Sequence, residues 1–317
     1  MVDIHRDYVS NVSSTDFPGN FPGEDHAWDL EKFKSKFNVS ISQLTERTSN
    51  FDLIGIDTSF ANAFRRIMIA EVPSVAIEKV FIEQNTSVIQ DEVLASRLGL
   101  VPLLVNPDSL DWMVDPLHLN EAHNIENTVA FSLQVKCERN SDGTIKNENV
   151  YAKDLKFVPF EGQTISPEPT VAYEDILIAK LRPGQEISLT CWAILGVGSD
   201  HAKFSPVATA SYRLMPQISI LKDSEGEDAI KFQKCFPNGV VDIVDGKPKV
   251  VDPRKDTVSR EVLRHPEFEG KVKLGRRRDH FIFNIESTGA MTPAEIFLKS
   301  VAALREKATV LQSCKLE

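Results

Sequence analysis

Two stretches of the chain carry residue types that reactions use. Gly196-Val197-Gly198-Ser199-Asp200-His201 has the small residues of a phosphate cradle and, in its last three positions, the types of a hydrolytic triad. A dinucleotide cradle needs a third glycine and an acidic residue on a later strand, and neither is present. Triad members converge from separate segments, whereas these three adjoin. The stretch reads as a turn that hydrogen-bonds locally. No GxSxG elbow, Walker A loop or HExxH helix occurs. His118 and His123 lack metal-ligand spacing and read as solvated. The four cysteines, at 137, 191, 235 and 314, form no CxxC or CxxH pair, so the spacing of a structural zinc site is missing. They read as reduced, buried and inert. No catalytic, cofactor-binding or metal-binding residue is assigned.

The second stretch is basic: Lys271, Lys273, Arg276, Arg277 and Arg278. It suits a phosphate, an acidic protein or a solvated loop ahead of a strand. The whole chain of 317 residues carries 36 basic and 46 acidic side chains, a formal charge of −10, which argues against gripping nucleic acid over a broad surface. Apolar residues at 42% and charged residues at 26% fit a folded chain, its length suggests about two domains, and the mixture of strands with few helices read below points to α+β rather than a doubly wound sheet. No apolar run reaches the ~18 residues of a membrane span. The first residues lack the pattern of a secretory signal. No membrane association is expected.

Elements must position these residues. Residues 1–36 read as an extended arm, with Phe17-Pro18-Gly19 and Phe21-Pro22-Gly23 imposing turns. Phe17, Phe21 and Trp28 are expected to bury their rings on another surface. Strands are expected near 39–42, 51–56, 74–82, 129–137, 187–195 and 280–286 from alternation. Asp57-Thr58-Ser59 predicts a capped helix over 60–71. Ser87 and Gln90 predict a capping box opening a second helix that ends at Gly99. On that helix Asp91 shares an arc with Val88, Leu94, Ala95 and Leu98. A carboxylate there needs a partner, either backbone N–H groups or a basic residue of another chain. The region 222–278 is polar and proline-punctuated, with one short helix expected near 257–264.

The last helix, 293–313, opens on Thr292-Pro293-Ala294-Glu295, an N-cap, a proline at N1 and a glutamate at N3. Phe297, Val301, Leu304, Ala308 and Leu311 follow at steps of 4, 3, 4 and 3, the 3.5-residue seam of a helix that packs along another. Burying the four larger side chains is worth roughly 6–12 kcal/mol gross. Association costs about 4–15 kcal/mol. The seam alone would barely hold a partner. A second face is at hand on the helix 60–71, through Phe60, Ala63, Phe64, Ile67 and Met68. By spacing alone, both faces fit packing on the chain's own sheet as well as packing on another chain.

Four blocks then carry a resemblance. They are NTSVIQDEVLASRLGLVP from Asn85 to Pro102, NAFRRIMIAEVPS from Asn62 to Ser74, DHAKFSPV from Asp200 to Val207, and ESTGAMTPAE from Glu286 to Glu295. Long, correctly ordered and spread over residues 50–311, they resemble the α-like subunits of DNA-directed RNA polymerases. STDFPG from Ser14 and RKDTVSREVL from Arg254 resemble the larger α-like subunit type shared by eukaryotic polymerases I and III. The polymerase II type is the alternative. It carries a four-cysteine zinc loop in its inserted domain, whereas here no cysteine follows Pro102 until Cys137.

The resemblance implies a discontinuous dimerisation domain of the RNA polymerase α type, from 37–82 and 203–317, with an inserted β-rich domain over 83–202. It implies a non-catalytic assembly subunit, nuclear and nucleolar, that pairs with a smaller α-like subunit as a platform for the largest and second-largest subunits. Phe60, Ala63, Phe64, Ile67, Phe297, Val301, Leu304, Ala308 and Leu311 would form the dimer interface. Arg65, Arg66, Asn85, Thr86, Ser87, Asp91, Glu92 and Arg97 would meet the second-largest subunit. No direct sequence-specific nucleic-acid binding is implied.

Overall fold

A computed structural model describes residues 3–4, 8–10, 29–113 and 123–314. Phe17, Phe21, Trp28 and His118 lie outside them. The principal elements, in chain order, are α1 (Leu30–Lys36), β1 (Asn38–Leu44), β2 (Thr48–Ile54), α2 (Thr58–Ala70), β3 (Ser74–Asn85), α3 (Asp91–Gly99), β4 (Thr128–Lys136), β5 (Glu186–Gly196), β6 (Val207–Ile220), α4 (Glu227–Lys234), β7 (Val272–Ser287) and α5 (Pro293–Ser313). The chain divides into two compact units. The first helix modifies the expected arm: Asp29 caps α1 through Oδ1, which accepts from the backbone of Glu31 and Lys32.

One unit comprises residues 1–42, 50–62 and 211–283. Its strands belong to a six-stranded sheet in the order Asp3–Ile4, Tyr8–Ser10, β7, β2, β1, with β6 also paired to β7. The basic cluster does not form a loop before a strand. Lys271 sits in the turn just before β7 and the other four lie inside the strand, where Gly275–Arg277 pair antiparallel with Tyr8–Ser10. Main-chain pairing, which alternation of side chains does not reveal, extends the strand back to Val272. Phe51 stacks on Phe283 at 5.4 Å, and Tyr212 meets both Phe281 and Phe283. Residues 222–271 form a small core around Phe232, Phe236, Val240, Val262 and Phe268, completed by Ile218 of β6 and Val272 of β7. The helix expected near 257–264 shrinks to a 3-10 turn, Glu261–Arg264. Val258 and Arg260 both take positive φ there (61° and 58°), which interrupts a helix.

The other unit comprises 43–49, 63–210 and 284–317. Its four-stranded antiparallel sheet runs Lys156–Phe157, β4, β5, β3. The register pairs Cys191 with Val80 on one side and Phe131 on the other. The core beneath holds Ile77, Leu94, Leu98, Leu103, Leu133 and Leu189, so α3 packs through Leu94 and Leu98. Among the described residues no helix is long and apolar enough to cross a membrane.

Candidate association surfaces

Helix α2 begins where Asp57 Oδ1 accepts from the backbone and hydroxyl of Ser59 (2.8 and 2.6 Å). Its apolar stripe then divides. Phe64 and Ile67 are 9% and 3% exposed, and Met68 is buried with them. Phe60, one turn earlier, is 38% exposed, Ala63 and Arg65 are half-buried, and Arg66 is exposed. The far end of α2 is clasped by the Gly196–His201 stretch. Ser199 N donates to Ala70 O (2.9 Å). A Cβ on Gly198 would collide with Ile69 O, so only glycine lets the loop approach. His201 Nδ1 accepts from Lys203 N, opening a short turn. The stretch that looks like a phosphate cradle thus resolves into a structural clasp.

Helix α5 has the expected capping box: Thr292 Oγ1 accepts from Glu295 N, and Glu295 Oε2 accepts from Thr292 N (2.8 Å). It packs on the chain through Pro293, Ile296 and Ser300. Phe297 meets Phe64 edge to face at 5.4 Å. Lys299 pairs with Asp108 (2.5 Å) and Lys307 with Glu71. The seam lies beside that packed face, about a quarter turn round the helix. Phe297 and Leu304 are half-buried, whereas Val301 (39%), Ala308 and Leu311 (73%) are exposed. All residues from Arg305 to Cys314 are exposed. Cys314 therefore departs from the expectation of four buried thiols. The other three are buried, and burial pushes the Cys191 thiol up to about 12.

The Asn85–Arg97 block is organised differently from the expected capping box. Helix α3 starts at Asp91, and its N-cap Gln90 makes no side-chain bond. Asn85 takes over. Its Oδ1 accepts from the backbone and hydroxyl of Ser87 (3.1 and 2.6 Å), and its Nδ2 donates to Ile89 O and Asp91 Oδ1 (2.9 and 2.7 Å). Asx turns of this kind compete with N-caps for the same hydroxyl. Asp91 is exposed in the first turn and already has this partner, so it is no carboxylate stranded on an apolar face. Thr86 pairs with Glu186 through both N and Oγ1 (3.0 and 2.8 Å). Glu92 is exposed. Arg97, placed by spacing at the helix dipole, reaches Leu177 O (2.7 Å).

Sequence reasoning missed a polar knot in the first unit. Arg254 Nε and Nη2 donate to Asp52 Oδ1 (3.1 and 2.9 Å), Nη2 also donates to Asn50, and His280 Nε2 lies 2.9 Å from Asp52 Oδ2. Asp52 and Arg254 are 202 positions apart, so no local pattern announces the pair.

One side of the last helix of this α+β chain is packed, and the adjoining apolar seam is largely open. The profile of the RNA polymerase Rpb3/Rpb11 dimerisation domain matches residues 50–308, and the chain belongs to that family. It is 58% identical over 328 residues to the DNA-directed RNA polymerases I and III subunit RPAC1 of Saccharomyces cerevisiae, covering 99% of this chain and 98% of that one. To the subunit of the same name in Mus musculus it is 46% identical over 316 residues (94% and 90% covered). To the DNA-directed RNA polymerase II subunit rpb3 of Dictyostelium discoideum it is 33% identical over 290 residues (86% and 93%).

Proposed function

We propose that this chain is the larger α-like subunit shared by DNA-directed RNA polymerases I and III. In this reading it catalyses no reaction. It pairs with a smaller α-like subunit, and the heterodimer is the platform on which the largest and second-largest subunits assemble for rRNA, tRNA and 5S rRNA transcription in the nucleus and nucleolus. The higher identity to polymerase I and III subunits than to the polymerase II subunit favours the shared type.

The observation that carries the reading is the seam of α5. A single helix face with Val301, Ala308 and Leu311 exposed beside a packed face suits a second chain's helix. By the same reading Phe60, Ala63, Phe64, Ile67, Phe297 and Leu304 belong to the dimer interface. Arg65, Arg66 and the surface of Asn85, Thr86, Ser87, Asp91, Glu92 and Arg97 are assigned to the second-largest subunit. The dimerisation domain is taken as 37–82 with 203–317, and the inserted domain as 83–202.

The test is purification of the tagged chain followed by identification of the chains that come with it. The expected result is recovery of the large subunits of polymerases I and III and absence of those of polymerase II. Recovery of polymerase II subunits, or of no large subunit, contradicts the reading.

A further inference from the structure

Between the loop 86–90 and the strand Leu177–Lys180 lies a groove of about 390 Å³. That strand is paired along one edge only, with Asn149–Tyr151, among the described residues. The lining includes Arg97, Lys180 and Arg182 and not one acidic residue, in a chain whose formal charge is −10. The three cations keep donors to spare. Arg97 gives Nη2 to Leu177 O. Arg182 gives Nη1 to Glu148 (2.9 Å), yet its side chain is still 73% exposed. Lys180 is exposed and has no carboxylate within 4.0 Å among the described residues. On the rim stands Val88, 86% exposed, an apolar side chain left in water by a loop that the Asn85 hydrogen bonds hold rigidly.

The geometry points to this groove as the seat of an extended acidic segment of a partner protein, with its carboxylates on Arg97, Lys180 and Arg182 and an apolar side chain over Val88. The inference deepens the assignment of the Asn85–Arg97 block to the second-largest subunit and rests on it. Guanidinium groups take carboxylates in a planar fork. Exposed ion pairs hold weakly one at a time, so three in a row set register and partner choice more than strength. Nucleic acid fits the groove less well. Three cations are few against the several phosphates such binding uses, and the lining offers no aromatic ring for a base.

The test uses the assembled complex purified through a tag on this chain. One variant carries a benzophenone amino acid at Val88; a second carries Lys180→Glu and Arg182→Glu, both exposed positions, and is compared with the parent by circular dichroism to check the fold. The expected result is a cross-link to a net-negative segment of the second-largest subunit. The double reversal is expected to lower retention of that subunit at least tenfold at moderate salt, with recovery when the acidic residues of the cross-linked segment become lysine. A cross-link to nucleic acid, to a neutral or basic segment or to nothing overturns the inference. So does unchanged retention in the double variant. In each of these cases the unsubstituted chain still brings down the large subunits, which separates this failure from failure of the assembly reading itself.

Discussion

At Asp52 burial and charge pull in opposite directions. Burial pushes the carboxyl upward, but the hydrogen bonds from Arg254 and His280, with their charges, outweigh it and hold the group below its ordinary value. A carboxyl whose folded value is depressed contributes stability that is complete above the unfolded value of about 3.9 and is lost as pH falls through the folded one. Asp52→Asn removes that contribution and leaves Arg254 and His280 without their anion. We expect a loss of about 3 kcal/mol near neutral pH, read by denaturant unfolding of the heterodimer, and a shallower decline of stability below pH 4 than in the parent. The cysteines give a second residue-scale prediction. Under native conditions a maleimide should label Cys314 alone, with Cys137, Cys191 and Cys235 reacting only after unfolding, as peptide mapping would report. None of the Asp52 knot was legible in the sequence, because its members lie on segments far apart. The Asn85 turn was nearer to legible: Asn followed two positions later by Ser is an Asx-turn pattern, but Ser87 with Gln90 also fits a capping box.

Elements with strong local periodicity were legible. The seam of α5, its capping box and the capped start of α2 follow from spacing and end-residues, and β4 and β5 from strict alternation. What spacing did not reveal is which side of α5 the chain itself uses, because that side includes Ser300, a polar residue buried by a hydrogen bond to Phe297 O (2.6 Å). Strand β7 was half-legible, since its first half is basic and is identified by its backbone partner. Two helix predictions follow. The double change Val301→Asp and Leu311→Asp should weaken association with the small α-like subunit by about 3–6 kcal/mol, roughly 10²–10⁴-fold, measured by dissociation of the co-expressed heterodimer on dilution. Phe64→Ala should instead lower the chain's own stability by about 3–5 kcal/mol, because its ring is enclosed. At the clasp, Gly198→Ala should cost about 1–3 kcal/mol by pushing the loop away from the end of α2, seen as a lowered Tm.

Over the whole molecule the α+β class and the dimerisation family were legible because four long blocks occur in the right order. The region 222–278 was not, since its core is built from Phe232, Phe236, Val262 and Phe268, which are scattered among prolines and charges without a period. That core predicts order in this region before any large subunit is added. The central claim is that the α5 seam stays in water until another chain covers it. Static light scattering after expression alone and after co-expression with the small α-like subunit tests it most directly. The account predicts aggregates from the chain alone and a one-to-one heterodimer on co-expression. A soluble, cooperatively melting monomer that gains nothing from the second chain would contradict it.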